Sequence, residues 1–224
     1  MQLLHNQPHK SVGLELFSEL SDWLAQLGTA HLMNAYGFCP LPMQSYHVTV
    51  WDGLSEKQVP EVNSHFQPQV GQFLSKLPES LSTRHTFMED VSTGQLLVKD
   101  YWEIRFRFSH LTFWSSKGLA AVLEPVDEHS RHLLEQLRSG RENLSADFSD
   151  RLQFHHEADH YVPHITLGYF LNPELAGRIS PQVEIAHWGR QVAERCKDLT
   201  LTMTSIGLYA YTDMVSFFRI GAPG

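Results

Sequence analysis

The sequence predicts an α/β fold of the α+β type, in which antiparallel strands form two lobes with helices on their outer faces. Segments with helical periodicity occur beside segments in which apolar residues recur at every second position. Each half of the chain also contains one strand-like segment with a histidine and a threonine two residues apart, at 47–49 and at 164–166. One such strand in each half indicates a duplicated, two-lobed arrangement.

The N-terminal half predicts helices on both sides of the first of these strands. Leucines and Trp23 recur at three- and four-residue steps over 14–27, which predicts a helix. Two closely spaced prolines predict a loop over 37–42, because proline disfavours helix and central strand. The strand over 46–51 follows this loop. Prolines also interrupt the helical pattern of 55–77, and we expect either two short helices there or one helix with a kinked entry.

The pattern from residue 86 onward predicts more strands than helices. Strands are expected around 86–91, 95–100, 101–108 and 118–123, over the second motif, and near 199–209 and 214–220. Helices are expected over 126–138, where Gly140 is a plausible C-terminal cap, and over 181–196. The polar stretch 139–162 has no sustained periodicity and predicts a loop or an insertion.

Composition limits the classes of function. At 224 residues the chain is long enough for one large domain, and we expect 1–224 to form a single bilobal unit. Apolar runs are too short to span a bilayer, and Cys39 and Cys196 have no metal-site or redox spacing, which predicts a reduced, cytoplasmic protein. The formal net charge of −8 argues against an extended nucleic-acid surface, since such surfaces neutralise many phosphates with lysine and arginine.

The spacing within each motif places its histidine and threonine on one face of a strand, because strand side chains alternate. If the strands lie close together, His47, Thr49, His164 and Thr166 line one cleft. One neutral imidazole can then take a proton from an attacking water or hydroxyl, while the other, protonated, gives one to the leaving oxygen. The threonine hydroxyls can donate to phosphate oxygens. This chemistry suits displacement at phosphorus and needs no metal.

These motifs resemble the paired His-x-(Ser/Thr)-hydrophobic motifs of the 2H phosphoesterases, which include the RNA 2′,3′-cyclic phosphodiesterases. An aliphatic residue follows each threonine here, and Pro163 precedes the second histidine. The resemblance implies a bilobal fold with two antiparallel sheets lining a central cleft, and hydrolysis of a cyclic or small nucleotide phosphodiester without metal or cofactor. It implies that His47 and His164 carry the acid and base roles, with His47 as the acid by family analogy, and that Thr49 and Thr166 hold the phosphate.

The resemblance also implies a partner and a chain architecture. The expected partner is a small nucleotide or an RNA-terminal phosphodiester, bound by a monomer that does not associate with membranes. The interval between the motifs is longer than in compact members of the family, so we expect insertions near 79–115 and 139–162.

Several further residues are candidates for substrate binding. Trp51 continues the face of the first histidine and could stack on a base. Tyr46, Tyr169 and Tyr211 lie near the motifs or in the final sheet, although aromatic residues on strands more often belong to the core. Arg105 could meet a phosphate, but the exposed face of a sheet is the commoner place for such a residue.

Two alternatives compete with this hypothesis. The cluster 155–160, His-His-Glu-Ala-Asp-His, resembles the H-x-H-x-D-H metal motif of metallo-β-lactamase-type hydrolases and would support a metal-dependent hydrolase. Few residues follow it that could supply further ligands, so we interpret it as a solvated loop. The second alternative is a non-catalytic module that binds nucleotides or RNA ends, which could lose either histidine, whereas both are present.

Overall fold

The computed structural model describes residues 2–5, 13–53, 55–76, 102–114, 117–153, 161–171, 181–204, 206–211 and 217–219. The α-helices are α1 (Leu14–Leu27), α2 (Thr29–Tyr36), α3 (Gln67–Ser75), α4 (Glu128–Leu152) and α5 (Pro181–Cys196). The strands are β1 (Gln2–His5), β2 (Phe38–Pro40), β3 (Val48–Asp52), β4 (Ile104–Trp114), β5 (Gly118–Pro125), β6 (His164–Phe170), β7 (Leu201–Met203), β8 (Ile206–Tyr211) and β9 (Phe217–Arg219). Short 3₁₀ helices cover Met43–Ser45 and Glu56–Glu61.

The described strands form an antiparallel sheet. Its order is β7-β4-β5-β6-β3-β1-β8-β9, with β2 paired to β6 beside β3. Strand β3 pairs with β6 through Val48 and Ile165, and this pairing joins the first four strands of the order to the last four. Together with the helices, this gives the mixed α and antiparallel β architecture expected from the sequence.

Strand β4 shows why one face of the sheet is buried. Ile104, Phe106 and Phe108 are buried, and Arg105 and Arg107 between them are exposed, as the alternating pattern predicts. Helices α4 and α5 both pack against this strand. The sequence pattern thus sets which face of the sheet the helices cover.

Helix α1 covers the core next to α5. Its apolar stripe is buried. The indole of Trp23 packs edge-on against Trp188 of α5, with ring centroids 6.1 Å apart. The predicted helix over 14–27 is confirmed, and it ends at Gly28, which adopts a positive φ of 83° and whose N–H bonds to the carbonyl of Ala25. The short helix α2, which follows directly, was not expected.

Several other predicted elements are confirmed. The proline-interrupted stretch 55–77 contains two short helices, Glu56–Glu61 and α3, and α5 spans the predicted 181–196. Strand β5 ends at Pro125, as expected. The stretch predicted as strand over 199–209 contains β7 and the start of β8. The strands predicted at 86–91 and 95–100 lie outside the described residues.

Two predictions are wrong. The region 139–162 is not a loop throughout, because α4 continues to Leu152 and Gly140 lies inside it. The helix continues because Leu137, Leu144 and Leu152 remain buried along one side, which offsets the low helix propensity of glycine. The segment 37–42 is not only a loop, since β2 forms a three-residue pairing with β6.

Among the described helices, none combines the length and the hydropathy that crossing a bilayer requires.

Candidate active site

The two motifs meet where β3 pairs with β6. Val48 and Ile165 are direct antiparallel partners, and both side chains lie in the core at 1% and 0% exposure. Their sequence neighbours therefore point to the opposite face of the sheet. That face is the one predicted to carry the chemistry.

The register sets the four predicted residues side by side. Antiparallel partners run in opposite directions, so one step from the Val48 pair sets His47 beside Thr166. One step the other way sets Thr49 beside His164. The threonines and His164 are half-buried, and His47 is 8% exposed. The structure thus brings together two imidazoles and two hydroxyls from distant parts of the chain.

Both imidazoles are held in the same way. Nδ1 of His47 lies 2.7 Å from the carbonyl oxygen of Ser45, and Nδ1 of His164 lies 2.9 Å from that of Val162. A carbonyl oxygen only accepts, so Nδ1 must carry the proton in each neutral ring. Each histidine therefore titrates at Nε2, the nitrogen that would exchange a proton with a ligand.

Burial and mutual proximity govern the charge of the pair. Desolvation lowers the pKa of His47, its bond to Ser45 opposes this, and the nearby charge of His164 lowers it further. Desolvation also lowers the pKa of His164, opposed by the bond to Val162. Burial thus favours the neutral form of both imidazoles, and His47 is the more buried of the two.

Strand β3 departs from regular alternation at Val50. Leu4 of β1 pairs with Thr49, and the preceding residue, Leu3, pairs with Trp51. Two residues of β3 therefore oppose one of β1, which is a β-bulge with Val50 as the extra residue. Beyond a bulge, the two faces of a strand exchange.

This bulge corrects the prediction for Trp51. The indole does not continue the face of His47. It is 0% exposed, and its N–H donates to the hydroxyl of Ser145 on α4 at 2.9 Å. The next residue, Asp52, turns to the histidine face instead and is exposed. The prediction therefore placed Trp51 on the wrong face, and Asp52 was not among the predicted site residues.

Strand β6 has a bulge at the equivalent place. Ala120 of β5 pairs with Thr166, and the preceding residue, Leu119, pairs with Gly168. Leu167 is the extra residue, three positions after His164, just as Val50 is three positions after the first histidine. The likeness between the two motif strands therefore continues in the backbone beyond each motif.

Tyr169 reaches the histidine face through this second bulge. It is half-buried, and its phenol is hydrogen-bonded to the hydroxyl of Thr166. Burial raises the pKa of Tyr169, as it does for Tyr211 of β8, and the two phenols lie within electrostatic reach of each other. Of the three tyrosines predicted from the sequence, Tyr169 therefore lies next to the motif residue Thr166, and Tyr211 lies within electrostatic reach of Tyr169.

The prediction that Tyr46 binds substrate is corrected by its burial. Its side chain is 1% exposed, and its ring packs edge-on against Phe17 of α1, with centroids 5.9 Å apart. The hydroxyl is buried without a hydrogen-bond partner among the described residues, and burial raises its pKa. Tyr46 anchors the segment before the first histidine to the core.

Arg105 is engaged elsewhere. Its guanidinium pairs with Asp127, which caps the N-terminus of α4, and lies 3.9 Å from Glu103. The cap and the ion pair lower the pKa of Asp127 to about 2. The structure thus gives Arg105 a role at the start of α4 and not beside the histidines.

Other candidate positions do not join this site. The histidine-rich cluster 155–160 lies outside the described residues, and the side chains that are described include no group of three arranged to hold a metal ion. A groove of about 610 Å³ between α1 and α5 contains none of the predicted site residues. It is lined by Trp23, Gln26, Leu27, His187, Arg190, Gln191, Glu194 and Arg195.

Comparisons with known proteins show the fold alone. No protein-family model matches the chain, and no curated protein does. A solved structure, the conserved protein of unknown function ATU0111 from Agrobacterium tumefaciens, is similar with a TM-score of 0.56 and 15% identity, over 97% of this chain and 82% of that one. TT0787 of Thermus thermophilus has a TM-score of 0.44 and 14% identity, over 98% of both chains. The chain therefore shares an architecture with an uncharacterised protein.

Proposed function

We propose that this protein is a metal-independent phosphodiesterase of the 2H type, which hydrolyses a cyclic or small nucleotide phosphodiester with His47 and His164. The observation that carries the proposal is the matched pair of imidazoles, each with Nδ1 on the carbonyl two residues before it. A bond of this kind fixes the tautomer and orients Nε2 for proton transfer.

The roles follow from the unequal burial of the pair. His47, whose pKa is lowered by burial and by the charge of His164, suits the neutral base that takes a proton from water. His164, half-buried, holds its proton more readily and suits the acid that protonates the leaving oxygen. This assignment reverses the one that family analogy implies.

The threonines and tyrosines complete the proposed site. Thr49 and Thr166, each beside the histidine of the other strand, would donate to non-bridging phosphate oxygens and stabilise charge that develops there. Tyr169 and Tyr211, half-buried on the same side, offer aromatic surface for a base. We also propose that the site lies in a two-lobed cleft, as the family resemblance implies, with β3 and β6 at the centre of that cleft.

Turnover by single-histidine variants tests the proposal. His47→Gln and His164→Gln should each abolish opening of 2′,3′-cyclic nucleotides, measured as release of a 2′- or 3′-monophosphate, because acid and base are both needed. His110→Gln is the matched control, since His110 is exposed on β4 and shares a cross-strand row with His164 through Val122. EDTA should leave the rate unchanged.

The outcomes separate the alternatives. Substantial activity in both single variants would refute two-histidine catalysis. Loss of activity in EDTA that zinc restores would favour the metal-dependent hydrolase. Tight binding of cyclic nucleotides with no turnover would favour the binding module. Circular dichroism of each variant establishes that a loss of turnover is not a loss of fold.

A further inference from the structure

We propose that Asp52 sets the charge preference of this site, because its carboxylate repels a dianionic phosphomonoester from the two histidines more strongly than a monoanionic phosphodiester. This inference rests on the proposed function and extends it to the charge of the substrate. The same repulsion would favour release of the phosphomonoester product.

The bulge at Val50 sets the position of Asp52. It turns Trp51 into the core, where the bond to Ser145 on α4 anchors the indole, and thereby turns the next side chain to the opposite face. The burial of Trp51 thus fixes the direction in which Asp52 points. The exposed carboxylate lies on the same face as His47 and Thr49.

The charge of Asp52 reaches titratable groups on or next to three strands around the pair. It partly opposes the lowering of the pKa by burial at His47, just before its own strand, and at His164 on β6. It adds to the raising of the pKa by burial at Tyr169 on β6 and at Tyr161 just before this strand. It also raises the pKa of Tyr211 on β8.

This placement discriminates between ligands by charge. A phosphodiester, cyclic or linear, has one negative charge at neutral pH, whereas a phosphomonoester, with a second pKa near 6, has almost two. Repulsion from Asp52 grows with the charge of the ligand, so the hydrolysis product is repelled more than the substrate. The same carboxylate favours the imidazolium form that the acid step needs.

The effect on the histidines can be measured without substrate. In a ¹H–¹⁵N NMR titration, Asp52→Asn should lower the pKa of both imidazoles. In Asp52→Glu both pKa values should lie close to those of the wild-type protein. Glu194→Gln controls for loss of one exposed carboxylate, because Glu194 pairs with Lys197 near the C-terminal end of α5. If Asp52 had only a structural role, Asp52→Glu would not restore the imidazole pKa values that Asp52→Asn lowers.

Ligand affinity gives the second test. We would compare 2′-deoxyadenosine 3′-monophosphate with its methyl diester at pH 7.5, two probes that differ in charge and cannot form a 2′,3′ ring. Asp52→Asn should raise the affinity of the monoester relative to the diester by about fivefold. Unchanged imidazole titrations, or an unchanged affinity ratio, would overturn the inference. Failure of the proposed function is recorded separately, as absence of cyclic-nucleotide turnover in the wild-type protein.

Discussion

Replacing Gly168 by alanine tests the register that places Tyr169 beside the histidines. A Cβ on Gly168 would lie 2.5 Å from the carbonyl oxygen of Cys39, and closer still to Cζ of Phe38. Ordinary non-bonded contacts are about 3.5–4.0 Å, so β2 or β6 would have to shift by about 1 Å. Neither neighbour moves easily, because Phe38 is 2% exposed and Cys39 pairs with Tyr169.

The expected loss of stability is large. Overpacking a buried site destabilises by about 1–3 kcal/mol, and a clash with backbone belongs at the upper end, so we expect about 3 kcal/mol for Gly168→Ala. In a chain of this size about 1 kcal/mol corresponds to about 2–4 °C, which gives a fall in Tm of about 6–12 °C. Because the shift would carry Tyr169 with it, turnover of cyclic nucleotides should also fall.

Two other glycines provide matched controls. Gly189 lies within α5, and no atom lies within 4 Å of the place that a Cβ would take. Gly189→Ala should therefore stabilise the fold by about 0.8–1 kcal/mol, because alanine has the higher helix propensity. Gly118, whose Cβ would lie 3.2 Å from the carbonyl of Gly168, should give an intermediate loss. Thermal melts followed by circular dichroism rank the three. A Gly168→Ala protein that melts within about 2 °C of wild type, while Gly189→Ala stabilises as expected, would refute the reasoning.

Two further predictions concern stability. Burial lowers the pKa of His47 and of His164 in the folded state, so the unfolded chain binds more protons in acid and stability should fall as the pH drops below about 6.5. Urea unfolding between pH 7.5 and 5 should show a smaller loss in His47→Gln than in wild type or in His132→Gln, an exposed site on α4, and equal losses would contradict it. Ser145→Ala should destabilise by about 1–2 kcal/mol, because a buried donor left without its acceptor loses its compensation for desolvation. The donor is the indole N–H of Trp51. Ser75→Ala, on the exposed end of α3, is the control, and equal urea midpoints for both variants would count against the assignment.

The sequence predicted the motif faces but not the residues beyond them. Period-two alternation placed each histidine with its threonine, and that placement needs only the local chain. The faces of Trp51 and Tyr169 depend on bulges, and a bulge is defined by the partner strand. The pairing with β5 therefore had to be known before Tyr169 could be assigned to its face. The pairing with β1 had to be known before Asp52 could be recognised. Its sequence context, followed by glycine, instead indicated a turn.

The helix prediction failed for a similar reason. Gly140 and the polar residues after it predict an end to α4, because glycine has low helix propensity and often follows a C-cap. The helix continues since Leu144 and Leu152 find a buried surface that the rest of the fold provides. Local preference was overridden by tertiary packing that one segment cannot reveal.

The two halves of the site are alike in backbone and unlike in environment, and the acid–base chemistry that we propose would use this combination. Each half provides a histidine with Nδ1 on a carbonyl, a threonine, and a bulge three residues after the histidine. Two equivalent imidazoles would share one pKa and neither would be favoured as acid. Here the residue that each bulge brings to the site is a carboxylate, Asp52, in one half and a phenol, Tyr169, in the other, and one histidine is more buried than its partner. In the proposed mechanism the two similar strands thus supply two proton-transfer groups, and the differences at these positions would separate their roles.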